Sequence, residues 1–351
     1  MKSEKILIIT IDYELYFGKN TGTVDNCIIK PTALLADLLN KYNIKMTIFF
    51  DALYFWKLCQ YEDQYLSLKK DKEKIEKQIS ELIAQGHELQ LHLHPHWLDS
   101  YYDGERWVLK YDHYKLQSME NCGKESDYNI EECFKIGIET ISKLLRENNS
   151  DQKVNVFRAG GWGVQPFLPL KAIFNKYHIV GDSSVIPGDY MDHKYVKYDY
   201  SRAPQKGMWR FLSDPVIEDE TGEFIEVPIT SVKCNTVYKV WYALLRKYKY
   251  NKASRYGDGV SILDRTSLGE RGRKYIRNLL RRKPYALSLE GCICEEMAYA
   301  LRNNEITLMI GHPKGISDVS LRELGKCLNK YIGKTVKAGD LITAQMGNYG
   351  I

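Results

Sequence analysis

No apolar run in this 351-residue chain approaches the ~20 residues needed to cross a bilayer, so no membrane-spanning helix is expected. The start, MKSEKILIITIDYEL, lacks a small-residue cleavage site, and its apolar run of about six residues is too short for a signal segment. It reads instead as a first buried strand, and the chain is expected to be cytoplasmic. Zinc-finger spacing is also missing. The eight cysteines (Cys27, Cys59, Cys122, Cys133, Cys234, Cys292, Cys294 and Cys327) are scattered, and the one close pair is Cys292-x-Cys294. A chain of this size needs no disulfide staples, so free thiols are expected. There is no internal repeat and no low-complexity segment. The glycine-rich stretch at Gly160-Gly161 lacks the Gly-Lys-Ser/Thr ending of a phosphate-binding loop.

What is present is an ordinary globular composition, 44% hydrophobic and 27% charged, in a chain long enough for one large barrel or two modest domains. The formal charge of +5 is unevenly spread. Lys233 to Lys283 holds 15 Lys and Arg against three acids (Asp258, Asp264 and Glu270), which leaves the rest net acidic. Such asymmetry concerns partners rather than fold. Arg271, Arg273, Lys274, Arg277, Arg281, Arg282 and Lys283 could approach a diphosphate or an anionic inner leaflet, and could equally form a solvated helical face. No nucleic-acid-binding module is recognisable, and no nucleic acid is expected as a partner.

Lys5–Ile11 is a continuous apolar run, as in a strand buried on both faces. Pro31 opens a helix bearing Leu34, Leu35, Leu38 and Leu39. Strands follow at Lys45–Phe50 and Glu88–His92, separated by a charged helix from about Lys70 to Gln85 that Gly86 ends. Helices near 130–145 and 166–177 alternate with strands Val154–Phe157 and Ile179–Asp182; later strands are Phe224–Thr230, Tyr285–Leu289 and Thr307–Ile310, with a last helix near 321–331. This alternation argues for parallel βαβ units and a closed or nearly closed (β/α) barrel. The expected organisation is a single barrel domain over residues 1–351, with an insertion at about 190–283 whose later, basic part is partly helical. Asp12, His92, Arg158, Asp182 and His312 fall at strand C-termini, the end that carries the active site in such barrels.

The densest local signal is GHELQLHLHPHW at residues 86–97, four of the chain's eight histidines within ten positions. Neutral imidazole is the commonest metal ligand. Fully extended, His92 and His96 would stand ~13 Å apart at ~3.3 Å per residue, too far for one ion. A helical turn after His92 would bring positions i and i+4 to ~6 Å, and Pro95 is tolerated in a first turn. The pair expected is therefore His92 and His96, with His94 turned to a neighbour or the substrate. Asp12-Tyr13-Glu14 puts two carboxylates at the end of the first strand. Arg158 can pair with a carboxylate, and Gly160 and Gly161 let the backbone approach a ligand closely. His312 ends a late apolar strand.

In this order the motifs resemble those of the polysaccharide deacetylase family (NodB-homology, carbohydrate esterase 4-like). Gly86-His87-Glu88 through His92 and His96 matches its Gly-His-Glu-x-x-x-His-x-x-x-His stretch, and the motif order holds from residue 6 to about 313. The resemblance implies a distorted (β/α)7 barrel and a divalent metal, usually zinc, with hydrolysis of an N-acetyl group from a sugar. The family's adjacent Asp-Asp is here Asp12-Tyr13-Glu14, and the Asp-x-Glu variant makes Asp12 the base and Glu14 a metal ligand. With it come His92 and His96 as ligands, Arg158 as the group that keeps Asp12 ionised, and His312 as the acid for the departing amine. A second departure is Gly160, where many members have Pro. Without an export signal, the expected substrate is an N-acyl sugar precursor of surface polysaccharide, nucleotide- or lipid-linked, handled in the cytoplasm or at the inner membrane face. The alternatives are a formyl-sugar deformylase on the same barrel and a catalytically silent sugar-binding relative.

Overall fold

A computed structural model describes residues 4–116, 129–262 and 284–347. Seven parallel strands run through it: β1 (Ile6–Tyr13), β2 (Thr47–Asp51), β3 (Glu88–Leu93), β4 (Val156–Ala159), β5 (Gly181–Asp182), β6 (Phe224–Glu226) and β7 (Ile306–Gly311). They pair in the order β6-β5-β4-β3-β2-β1-β7, and Trp209–Phe211 adds antiparallel to the outer edge of β6. The remaining gap is stitched by irregular backbone. Thr230 N donates to Leu308 O (3.1 Å), Leu287 N to Thr230 O (2.8 Å) and Leu289 N to Ile310 O (2.8 Å). The result is the expected distorted (β/α) barrel.

Side chains alternate along a strand with a period of two, and here one parity points into the barrel. On β1 that parity runs Ile8, Thr10, Asp12; on β2, Thr47, Phe49, Asp51; on β4, Val156, Arg158. The lower layer is largely apolar, with Ile8, Phe49, Val156, Ile225, Leu308 and Ile310 in one buried cluster; its carboxylate, Glu88, accepts from Thr47 Oγ1 (2.7 Å) and Gly339 N (3.1 Å). Helix Ala338–Gly347 plugs the barrel from below through Ala338 and Ile342. A Cβ on Gly181 would meet Ile342 Cδ1 at 2.3 Å, so glycine is what lets the plug seat. The upper layer is polar. One inward parity thus gives the barrel a largely apolar floor and a charged mouth.

The outer helices Lys30–Asn40, Ala52–Tyr61, Leu66–Ala84, Ile130–Glu147 and Leu168–Lys176 bury their apolar stripes against the sheet. Pro31 sits in the first turn of its helix, as expected. Within the span read as an insertion lie a hairpin (Tyr190–Asp192 with Lys197–Asp199), helix Thr236–Lys249 and also the stave β6 itself. The basic residues Arg271, Arg273, Lys274, Arg277, Arg281, Arg282 and Lys283 lie outside the described residues, as does Cys122. The seven other cysteines are free thiols. Among the described residues, no helix is long and apolar enough to cross a membrane.

Candidate active site

At the C-terminal mouth, Asp12 and Arg158 form a buried ion pair. Arg158 is fully buried, and each polar atom of its guanidinium is used. Nη1 donates to Asp12 Oδ1 (2.6 Å) and Thr10 Oγ1 (3.0 Å), Nε to Ser183 O (2.8 Å) and Nη2 to Ser183 Oγ (2.9 Å). Its carbon centre stands 3.8 Å over the Phe49 ring. Burial alone would raise the Asp12 pKa, but Arg158, helped by His92 and His312, more than offsets it and holds the carboxyl below its usual range. Asp12 is therefore an ionised carboxylate clamped from beneath, with Oδ2 facing the cleft 3.5 Å from His312 Nε2.

Beside this pair gather Glu14, His92 and His94, His92 Nε2 being 3.9 Å from Asp12 Oδ2. Glu14 Oε2 lies 3.0 Å from His92 Nε2 and 2.6 Å from His94 Nε2, and the two Nε2 atoms are 3.1 Å apart. His92 Nδ1 is 2.8 Å from Arg158 O, which can only accept. A ring proton is thereby assigned to Nδ1, and Nε2 is the atom left to face Glu14 and the cleft. Burial works against a charged His92, yet Asp12 and Glu14 leave its pKa raised, so the carboxylates favour positive charge at this spot. Burial likewise lowers His94, to about 4. Two imidazole nitrogens and a carboxylate oxygen gathered at one point are a donor set able to hold a divalent ion. A backbone carbonyl on the far side of His92 is the usual orienting partner for a ligating ring. Among the described residues, Glu14, His92 and His94 are the group able to hold an ion.

That set contains His94 where His96 was expected, and the backbone explains the difference. The chain does not curl after His92. Strand β3 continues through Leu93, and the one-turn helix His96–Asp99 starts only at His96, with Pro95 as its N-cap. Strand alternation therefore carries His92 and His94 to the same side. His96 turns into an aromatic cluster, stacked on Tyr114 (ring centroids 5.2 Å apart) and Trp97 (5.4 Å), and neither of its nitrogens meets a partner. Gly160 belongs to the same arrangement. A Cβ there would come within 2.5 Å of Leu93 O and 2.7 Å of His94 Nδ1. Glycine at position 160 thus leaves the space that the His94 ring occupies.

His312 is held by a residue that the motif reading missed. Glu290 Oε1 accepts from both the backbone N–H (2.6 Å) and Nδ1 (2.5 Å) of His312, which aims Nε2 at the cleft. Burial would lower the His312 pKa, but Glu290, then Asp12 and Glu14, raise it to about 9. Lys314 was also missed. Its Nζ pairs with Glu14 Oε1 at 2.7 Å and with Leu15 O, leaving Oε2 to the histidines. Glu290 directly follows the expected strand Tyr285–Leu289, so the strand-end criterion that picked out Asp12 and His312 would have found it; Lys314 lies beyond the His-Pro step and carries no such signal. Asp182, the other strand-end acid, is buried beneath the mouth. It accepts from Ser184 N (3.0 Å) and Oγ (2.9 Å) and does not line the cleft.

The cleft above these groups has a volume of about 350 Å³, with Tyr16, Phe17, Tyr114, Trp162 and Tyr198 among its walls. Trp162 adopts φ +62°, a conformation seldom accepted by a bulky residue, next to Gly161 at +64°. This places the indole 6.2 Å from the His312 ring.

No protein-family model and no curated protein sequence matches the chain. Solved structures do match. A Mycobacterium smegmatis protein named as a polysaccharide deacetylase is 10% identical, over 99% of this chain and 92% of that one, with a TM-score of 0.48. The catalytic domain of a peptidoglycan N-acetylglucosamine deacetylase from Eubacterium rectale is 13% identical, over 96% and 91%, with a TM-score of 0.32. A CE4-family pseudoenzyme from Bacillus anthracis is 9% identical, over 97% and 66%, with a TM-score of 0.38. At these identities and scores, no residue role passes from those proteins to this chain; chemistry has to rest on the site.

Proposed function

We propose that the protein is a metal-dependent N-deacylase of amino sugars, removing an acetyl group from an N-acetylated sugar. One observation carries this reading: a clamped carboxylate (Asp12), a carboxylate-held imidazole (His312) and a Glu14-His92-His94 donor set converge on one aromatic-walled cleft. Glu14, His92 and His94 would hold a divalent ion, the two imidazoles and carboxylate suiting zinc, and when bound it would supply Lewis-acid polarisation of an amide carbonyl. Asp12, ionised and oriented by Arg158, takes a proton from the attacking water. His312, protonated and aimed by Glu290, gives a proton to the departing nitrogen. Amide and water become a free amine and a carboxylate. The aromatic walls suit the apolar faces of a sugar ring. The finer reading is a cytoplasmic precursor of surface polysaccharide, nucleotide- or lipid-linked.

A screen of nucleotide- and lipid-linked N-acyl sugars with zinc-loaded protein tests this. Acetate release is expected. Formate release in its place identifies a deformylase, and release of neither acid overturns the proposal. The silent sugar-binding alternative has one observation in its favour, since Lys314 already sets a positive charge on Glu14. A purified protein that takes up no stoichiometric divalent ion would establish it.

Glu290 yields a pH prediction. The Glu290 carboxylate raises the His312 pKa, so His312 stays protonated to higher pH and the alkaline limb of turnover lies higher. Removing that charge in Glu290→Gln should move the alkaline limb of kcat to lower pH, with kcat recovering as pH falls. Wild type and variant are compared at equal metal loading, because the ion's own charge shifts both. An unmoved limb would remove His312 from the acid role.

A further inference from the structure

Helix Thr236–Lys249 is amphipathic in the reverse of the usual sense. A helix packed on a globular core ordinarily turns its apolar stripe inward. Here the inward line is polar. Lys239 and Tyr242 are buried, Arg246 pairs with Glu296, and Lys249 pairs with Glu295 and Glu323 at 2.7 Å each. The outward line, at helical spacing, is Val237, Trp241, Leu244 and Tyr248, which are 76, 53, 58 and 83% exposed. The inner contacts fix which side looks out. Turning the stripe inward would leave the buried carboxylates of Glu296 and Glu323 without these cations, a strongly unfavourable change.

We infer that this outward face docks on an anionic membrane surface. Its chemistry is that of an interfacial helix: aliphatic side chains to enter the acyl boundary, with Trp and Tyr rings suited to the headgroup level. Its exposed neighbours in the chain include the cations Lys233, Lys247 and Lys252. That charge complements anionic lipid. A second copy of this chain would bring the same basic surface against itself. The attachment is peripheral, since no described helix can span a bilayer. The chain leaving the helix supplies Arg255, Ser261 and Ile262 to the cleft wall, which ties the docking face directly to the mouth of the site. The inference needs neither the metal nor the reaction, so its failure and theirs are separable.

The test is co-sedimentation of the full chain with vesicles of phosphatidylcholine alone or mixed with phosphatidylglycerol. Pelleting is expected only with the anionic vesicles, weakening with salt because exposed charges are screened over ~10 Å at 0.1 M. The double substitution Trp241→Gln with Leu244→Gln, neutral changes at exposed positions, should keep the thermal melt and lower vesicle affinity roughly tenfold or more, the worth of one or two buried apolar side chains. Three results would overturn the inference. One is no pelleting with anionic vesicles. Another is pelleting indifferent to the double substitution, which would mean attraction by charge alone. The third is a dimer in sedimentation velocity that the double substitution dissociates, which would make a second copy the occupant.

Discussion

A His94→Ala protein should emerge from zinc loading and desalting without a stoichiometric ion, whereas His96→Ala should keep one. Each result is read by elemental analysis against protein concentration. The expectation follows from position: His94 Nε2 stands 2.6 Å from Glu14 Oε2 and 3.1 Å from His92 Nε2, while His96 is stacked on Tyr114 and Trp97. Removing one of three protein ligands leaves too few for an open catalytic site. His96→Ala should instead cost stability, because a buried ring leaves a cavity in the aromatic cluster; its melting temperature should drop while its metal content stays. Gly160→Ala gives an intermediate case. The added methyl pushes on His94 rather than deleting it, so zinc affinity should fall by about 10–100-fold, the usual effect of disturbing a ligand's support. If His96→Ala loses the ion and His94→Ala keeps it, the chain curls after His92 in the metal-loaded protein and the i, i+4 pair is the true one.

Asp12→Asn should leave metal content unchanged and reduce turnover by ~10²–10⁴, the usual worth of a general base. The substitution keeps the shape of the side chain and removes its proton-accepting charge. The variant should still fold, because Arg158 retains its hydrogen bonds to Thr10 and Ser183 and its contact with Phe49. Some stability is lost, since a buried guanidinium is left without its counter-charge; activity is therefore measured well below the melting temperature. Glu14→Gln should fail in the opposite way. A neutral amide is a poorer ligand for a hard dication, so metal is lost first and excess zinc restores part of the activity. Should Asp12→Asn lose the ion while Glu14→Gln keeps both ion and activity, the two acids have exchanged roles, and the base must be sought elsewhere.

Strand alternation alone determined a good deal. The apolar run of β1, with Asp12 and Glu14 two apart at its end, requires both carboxylates on one face, and parallel strands put that face at a common mouth. His92, Arg158 and His312 follow by the same logic from three further strand ends. The barrel and its parallel order were legible because each depends on a period of two and on which end of a strand is polar; the pairing of Asp12 with Arg158 was implied by the family resemblance, the sequence alone offering only an arginine able to meet some carboxylate. Helices Ala52–Tyr61 and Ala338–Gly347 were not: the first begins directly where β2 ends, with no linker to announce it, and the second is defined by the floor it plugs.

Only the tertiary structure decided between His94 and His96. Pro95 is compatible both with a strand's end and with a helix's first turn, so the local sequence supports either continuation. The choice falls to the surroundings: an aromatic cluster of Phe17, Trp97 and Tyr114 that receives the His96 ring, and a Cβ-free Gly160 just past the end of β4 that makes room for His94. The partners of His312 and Glu14 were decided the same way. Glu290 lies 22 residues before His312, and Lys314 lies 300 residues after Glu14. Lys314 meets Glu14 because β7 pairs with β1, and Glu290 meets His312 because residues 287–289 hydrogen-bond along β7; neither pairing is visible from local spacing.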